Sequence, residues 1–253
     1  KEKQLVNHEV EGTIEFKNVT YIYENTGIKA LDNVSFKINK GETLAILGKT
    51  GSGKSTIALL VARSLEPTSG EILIDGKNIH DINVESIREE IGYVPQEAFL
   101  FSDSLTNNIL FGSDDTDEQT AEIFAKKAVV HDNIDRFKER YETVVGERGV
   151  TLSGGQKQRV SIARALVNDP QILIFDDSLS AVDTETEEQI LNNLSSEING
   201  KTTIIITHRV SSAKRADQIL VLEDGHVLEN GSNSELLNKH GYYYELYNKQ
   251  LLD

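Results

Sequence analysis

Gly48, Lys49, Thr50, Gly51, Ser52, Gly53, Lys54 and Ser55 follow one another in an order suited to wrapping a chain of phosphates. Glycines let the backbone turn tightly, so that successive N–H groups face an anion. A helix beginning near Lys54 adds the positive end of its dipole. Lys54 is spaced to reach the outer phosphates and the Ser55 hydroxyl to ligate Mg²⁺, with Thr56 completing the phosphate-binding set. An ordinary Gly-rich strand-to-helix turn is the plainer alternative. The apolar run before these residues and the helical pattern after them, over 56–65, argue against chance.

Such a cradle needs a second metal ligand from a neighbouring strand end. Ile172, Leu173, Ile174 and Phe175 supply the strand, and Asp176 follows where it leaves the core. An unpaired buried carboxylate is costly, and Mg²⁺ offsets that cost. The alternative for Asp176 is a turn or helix N-cap aspartate.

The elements that must position these groups read as α/β. Short β-branched runs at 43–47, 91–94, 172–175 and 203–206 lack strict alternation, as expected of parallel strands buried on both faces. The runs at 13–19 and 33–38 alternate beside turn residues and predict an antiparallel β layer. Beyond an apolar patch at 98–101, the stretch 97–165 reads mostly helical, with candidates at 117–130, 133–141 and 153–168. A hairpin return is expected at 226–229 and a terminal helix over 242–252.

The chain has 253 residues, 38% hydrophobic and 26% charged, with a net charge of −15. That acidity argues against a nucleic-acid groove or an anionic lipid face as the main partner. The cradle must therefore create its own positive field. Without cysteine, no disulfide or thiolate chemistry is open. No run of 18 apolar residues predicts a membrane span, and Lys1, Glu2, Lys3 and Gln4 do not resemble a signal peptide. The absence of methionine suggests an excised or processed piece.

Leu152, Ser153, Gly154, Gly155 and Gln156, heading the helical stretch 157–168, are similar to the signature sequence of ABC ATPases. With the cradle and the metal strand in the same order, nearly the whole chain resembles the nucleotide-binding domain of an ABC transporter. The resemblance implies a P-loop NTPase (RecA-like) core with a small antiparallel β layer and an inserted helical subdomain. It implies one domain over 1–253: β layer and core at 12–96 and 166–240, helical subdomain at 97–165 and terminal helix at 241–253. It further implies ATP and Mg²⁺ as cofactors, and a second ABC ATP-binding domain, identical or not, as partner. In the family the signature covers the γ-phosphate held by the opposite domain. Locally, Ser153 also reads as a helix cap.

By the same resemblance Tyr23 stacks on adenine, whereas its neighbour Tyr21 can be read as a core-facing strand residue. Gln96 touches Mg²⁺ and the attacking water, His208 contacts the γ-phosphate, and 180–183 crosses the dimer seam. Lys54, Gln96, Asp177 and His208 form the implied catalytic set, and Ser55, Gln96 and Asp176 the implied metal set. The segment 143–149, with Glu147 and Arg148, looks like the one exporters use to sense transmembrane helices; a surface salt-bridge loop is its plainer reading. Together with a two-tyrosine run after Lys17 it favours an exporter at the cytoplasmic face of a membrane, touching the bilayer only through transmembrane domains. Soluble ABC ATPases of repair or translation usually carry coiled-coil insertions or paired cassettes, and neither is visible.

The sequence departs from the family at Asp177, where glutamate is usual. The two acids have similar basicity, so the difference lies in reach. Two readings follow. Either Asp177 still orients the attacking water, or the chain is mainly an ATP clamp whose intact signature completes the active site of a heterologous partner. An unaltered signature beside an altered acid favours the second for the composite site.

Overall fold

The computed structural model describes residues 7–146, 149–180 and 182–251. The opening residues 1–4, the expected sensing pair Glu147 and Arg148, Ala181 of the seam loop and Leu252 of the terminal helix lie outside the described residues.

The chain begins with the antiparallel strands β1 (Ile14–Ile22) and β2 (Lys29–Ile38), where Phe16 faces Phe36 with ring centroids 4.5 Å apart. Strand β3 (Thr43–Gly48) leads through the cradle into helix α1 (Lys54–Val61). Strands β4 (Ser69–Ile74) and β5 (Lys77–Asn78), helix α2 (Val84–Glu89) and strand β6 (Ile91–Val94) follow. Next come helices α3 (Leu105–Ile109), α4 (Glu118–Lys127), α5 (His131–Ile134) and α6 (Gly154–Leu166). Strand β7 (Ile172–Asp176), helix α7 (Thr184–Ile198), strand β8 (Thr202–Ile206) and helix α8 (Val210–Ala213) return to the core. Strands β9 (Gln218–Glu223) and β10 (His226–Gly231) and helices α9 (Asn233–Lys239) and α10 (Tyr242–Leu251) finish it.

The strands form two sheets, a four-stranded β2-β1-β4-β5 and a six-stranded β10-β9-β3-β8-β7-β6. The large sheet is parallel except for β10, which returns antiparallel to β9 through the Asp224–Gly225 turn. Strands β3, β7, β8 and β9 are buried on both faces, and alternation divides them cleanly. Leu44, Ile46, Ile172, Ile174, Ile204 and Ile206 face α1 and the small sheet. Leu173, Phe175 and Ile205 face α6, α7 and the helical segment. Ala45, Leu47, Ile219 and Val221 face α8, α9 and α10. The helical segment thus shares one core with the sheet.

The α/β class holds, and several local expectations are corrected. Strand β9 carries the same apolar signal as the four runs named from sequence and belongs with them; β4 and β5 complete the small sheet. The stretch 133–141 is not one helix. Ile134, Phe137 and Tyr141 have helical spacing, but a single turn ends at Ile134 and a 3₁₀ turn covers Arg140–Glu142. Left-handed Val129 (φ 58) and Arg140 (φ 45) bound this piece. The fully buried Tyr141 instead folds back, its hydroxyl 2.8 Å from His131 Nδ1. Helix α1 likewise stops at Val61 rather than 65, because Arg63 turns left-handed (φ 52) and the Ser64 and Leu65 amides both return to the Leu59 carbonyl.

Ile174 is fully buried in β7, two residues before Asp176. Ile174→Ala is expected to lower unfolding stability by about 2–5 kcal/mol in urea titrations, through lost burial and the cavity left behind. A loss under ~1 kcal/mol would contradict this packing.

Candidate functional site

Three adjacent parallel strands deliver the site. Register sets Ile46 of β3 opposite Ile206 of β8, and Ile206 opposite Asp176 of β7. The carboxyl ends of all three therefore stop at one level, where open α/β sheets bind ligands. The cradle after β3, the acids ending β7 and His208 after β8 become neighbours without further instruction.

The cradle has a backbone only glycine tolerates. Gly51 (φ 82) and Gly53 (φ 99) are left-handed. A Cβ on Gly53 would lie 2.3 Å from the Ala30 carbonyl oxygen, and one on Gly48 2.4 Å from that of Leu222. The Lys54 ammonium curls over the loop, donating to the carbonyls of Gly48 (2.8 Å) and Lys49 (2.7 Å). Burial lowers its pKa, while the nearby Asp177 and Asp176 carboxylates act in the opposite direction. The Ser52 hydroxyl is buried in the same loop with no protein partner. Lys49 points elsewhere, to Glu223 at 3.1 Å.

Asp176 is 4% exposed and held at both oxygens, by the Ser55 hydroxyl at 2.8 Å and the Tyr93 hydroxyl at 3.0 Å. Burial pushes its pKa up, outweighing these hydrogen bonds, and the neighbouring Asp177 adds to the rise. The same burial and the Asp176 charge push the Tyr93 phenol well above its usual range. Asp176 is thus a charge short of cations and Ser55 is already aligned with it. Among the described residues no three His, Cys, Asp or Glu side chains could hold a metal alone. A hydroxyl and one carboxylate beside a phosphate cradle suit Mg²⁺, which commonly takes only one or two protein ligands and completes its shell with phosphate and water.

Asp177 is left-handed (φ 45), its amide bonded to the Ile206 carbonyl at 2.9 Å. Its carboxylate meets His208 Nδ1 at 3.1 Å. A cleft of about 350 Å³ opens beside Asp177, lined by Tyr23, Thr50, Gly51, Gly53, Lys54, Ser55, Thr56, Gln96 and Asp177 among the predicted residues, but not by His208. Ile28, Ala30 and Ile206 add an apolar wall that sequence reasoning missed. The Tyr23 hydroxyl is 3.2 Å from that of Thr56, whereas Tyr21 packs against the core. One end of the cleft is thus apolar and aromatic, the other cationic.

Ser153, Gly154, Gly155 and Gln156 do not line this cleft. They start α6 in a capping box, with the Gln156 amide on Ser153 Oγ and the Ser153 amide on Gln156 Oε1. A Cβ added to Gly154 would meet nothing within 4 Å, so the chain's own packing does not require glycine there.

Further residues brought to the site were not singled out from sequence. Tyr93 seats Asp176, and Gln158 donates to the Pro95 carbonyl beside Gln96 at 2.8 Å. Arg209 pairs with the buried Glu187 and donates to the Ser180 and Val182 carbonyls of the expected seam loop, each at 3.4 Å. Such long-range contacts leave no spacing to read.

Residues 31–180 match the sequence family described as ABC transporter. The chain is 46% identical over 250 residues to the Bacillus subtilis protein called uncharacterized ABC transporter ATP-binding protein YfiB, covering 99% of this chain and 43% of that protein. It is 43% identical to human ATP-binding cassette sub-family B member 5, covering 94% of this chain and 19% of that one. A solved structure described as a bacterial Atm1-family ABC exporter with ATP bound superposes with a TM-score of 0.90 at 41% identity, covering 98% of this chain and 43% of the other. The chain spans less than half the length of these relatives.

The raised pKa of Asp176 has a signed consequence. A carboxyl that binds its proton more tightly when folded contributes most favourably below its unfolded pKa, and loses that contribution as pH rises through the folded one. Above the folded pKa the ionised group is therefore a net cost. Asp176→Asn is expected to raise the thermal midpoint of the ligand-free chain near pH 7, with the gain fading as pH falls through the carboxylate range. Calorimetry across pH checks this, and a lowered midpoint at pH 7 would contradict it.

Proposed function

The chain belongs to the ABC transporter family, and from that premise we propose that it is the ATP-binding and hydrolysing motor domain of an exporter. The observation that carries the proposal is the Ser55–Asp176 pair at 2.8 Å beside the half-buried Lys54, at the mouth of a cradle where Gly48 and Gly53 leave no room for a Cβ. Tyr23 offers its ring to adenine at the apolar end of the cleft. Lys54 exchanges its two loop carbonyls for phosphate oxygens. Ser55 and Asp176, with Gln96 alongside, hold Mg²⁺, which when bound neutralises charge on those oxygens. His208, directed by Asp177, faces the terminal phosphate.

Closure requires a second domain, identical or related. The open space at Gly154 supports this, because glycine there serves only what approaches from outside. Ser153, Gly154, Gly155 and Gln156 then cover the phosphates held by the partner. The transmembrane helices dock where Phe99 (65% exposed), Phe111 (55%) and Phe101 (37%) stack around Arg164. From there Gln158 and Pro95 relay movement to Gln96. On this reading the segment 97–165 is the lever between transporter and cleft, and the domain works at the cytoplasmic face of a membrane. No helix of the described residues is long and apolar enough to cross one.

The chain's own site turns over slowly, because Asp177 reaches His208 but is one methylene shorter than the glutamate usual in the family. A displacement of about 1 Å from productive geometry costs on the order of a hundredfold.

Lys54→Ala is expected to weaken MgATP binding roughly ten- to a hundredfold, the worth of a charge-assisted contact; unchanged affinity in equilibrium titration would end the proposal. Gly154→Arg should leave the thermal midpoint and MgATP affinity unaltered yet abolish ATP-dependent pairing in sedimentation. Asp177→Glu should raise single-site turnover by about ten- to a hundredfold, whereas an unchanged rate would mean that aspartate suffices.

A further inference from the structure

His208 projects its ring into solvent, its side chain 57% exposed, with one side-chain partner shown, Asp177. Its accuracy therefore depends on the backbone that carries it. On one side that backbone is tied to the sheet, through the Thr207 amide on the Ile46 carbonyl at 3.1 Å. Beyond it the strand has ended, and α8 is a single short helix whose N-cap, Arg209, makes no side-chain cap. The first α8 amide and the His208 carbonyl would both lack a helical partner.

Both are satisfied by one residue from the far end of the chain. Gln250 Nε2 donates to the His208 carbonyl at 2.8 Å, and Gln250 Oε1 accepts from the Val210 amide at 2.8 Å. The pairing fixes the orientation of the amide, because a flipped group would oppose oxygen to oxygen and N–H to N–H. The helix presenting it is firmly seated. Tyr243 of α10 is fully buried, its hydroxyl 2.7 Å from Asn233 Oδ1 and its amide 2.8 Å from Glu229 Oε2. Leu246, Tyr247 and Leu251 pack with Val210 and Ala213 of α8. Groups on packed helices hold geometry better than groups on loops.

We propose that Gln250 is a positioning residue for His208, bracketing its peptide so that the ring meets Asp177 and, at the loaded site, the terminal phosphate. The terminal helix is then part of the hydrolytic apparatus. This rests on the reading of His208 given above, but its first test needs no nucleotide.

The test uses two variants of the full chain. Gln250→Ala removes both contacts. Gln250→Glu keeps an acceptor for Val210 but turns a carboxylate oxygen on the His208 carbonyl, separating helix capping from the hold on the histidine. Ring ¹⁵N spectra resolve the six histidines, and His208→Gln identifies the relevant signal. In both variants the His208 signal should shift while the other histidines stay in place. MgATP affinity should remain within about twofold, and turnover at saturating MgATP, measured also with Asp177→Glu, should fall roughly tenfold, since misplacement affects the reacting geometry and not binding. The proposal is overturned if the His208 signal is unmoved in both variants. It is equally overturned if all the histidines shift together with a lowered thermal midpoint, or if affinity falls in step with turnover. If the parent shows no turnover in either background, the motor reading fails, and the nucleotide-free spectra still decide the placement of His208.

Discussion

Everything at the cleft depends on three neighbouring strands ending at the same height. Parallel pairing of β3, β8 and β7 fixes Ile46, Ile206 and Asp176 in one row, and the hydrogen bond from Ser55 to Asp176 then stitches the first turn of α1 to that row. The side chains of β7 alternate between two apolar clusters, so a slip by one residue would send each side chain to the wrong cluster and move Asp176 off the row. The core thus enforces the geometry of the acid at its rim. Neither Asp176 nor the cradle needs a scaffold of its own.

Electrostatics work against the overall sign of the molecule. In a chain of charge −15 the cleft offers an anion only the α1 N-terminus and one shielded cation, Lys54. Lys54 is partly desolvated and donates its hydrogen bonds to its own loop, while burial and the neighbouring Asp177 push the Asp176 pKa up. The cleft thus sets opposite charges close together in fixed positions, as functional sites commonly do. Ser52, buried and unpartnered in the same loop, belongs to this pattern.

The cradle was legible because its chemistry is contiguous: the glycines, Lys54 and Ser55 sit in one run and need only a local turn. Asp176 was legible as the polar end of an unbroken apolar run, and the layered α/β class as the spacing of such runs. What escaped were contacts across sequence. Tyr93 reaches Asp176 over 83 residues and Gln250 reaches His208 over 42, and neither has a periodicity to announce it. The stretch 133–141 misled for the converse reason. Ile134, Phe137 and Tyr141 have a helical rhythm, but the hydrogen bond between His131 and Tyr141 and the left-handed Arg140 give those apolar residues a shorter way into the core. Periodicity records which side chains are buried, and more than one backbone path can bury the same set.

Arg209 joins two loops that lie far apart in the sequence. It follows His208 directly, is anchored by the buried Glu187 on α7, and reaches the carbonyls of Ser180 and Val182. His208 and the loop after Asp177 are consequently fastened to a common post. Moving either loop away from the other would pull Arg209 from the buried Glu187 or from the carbonyls of Ser180 and Val182.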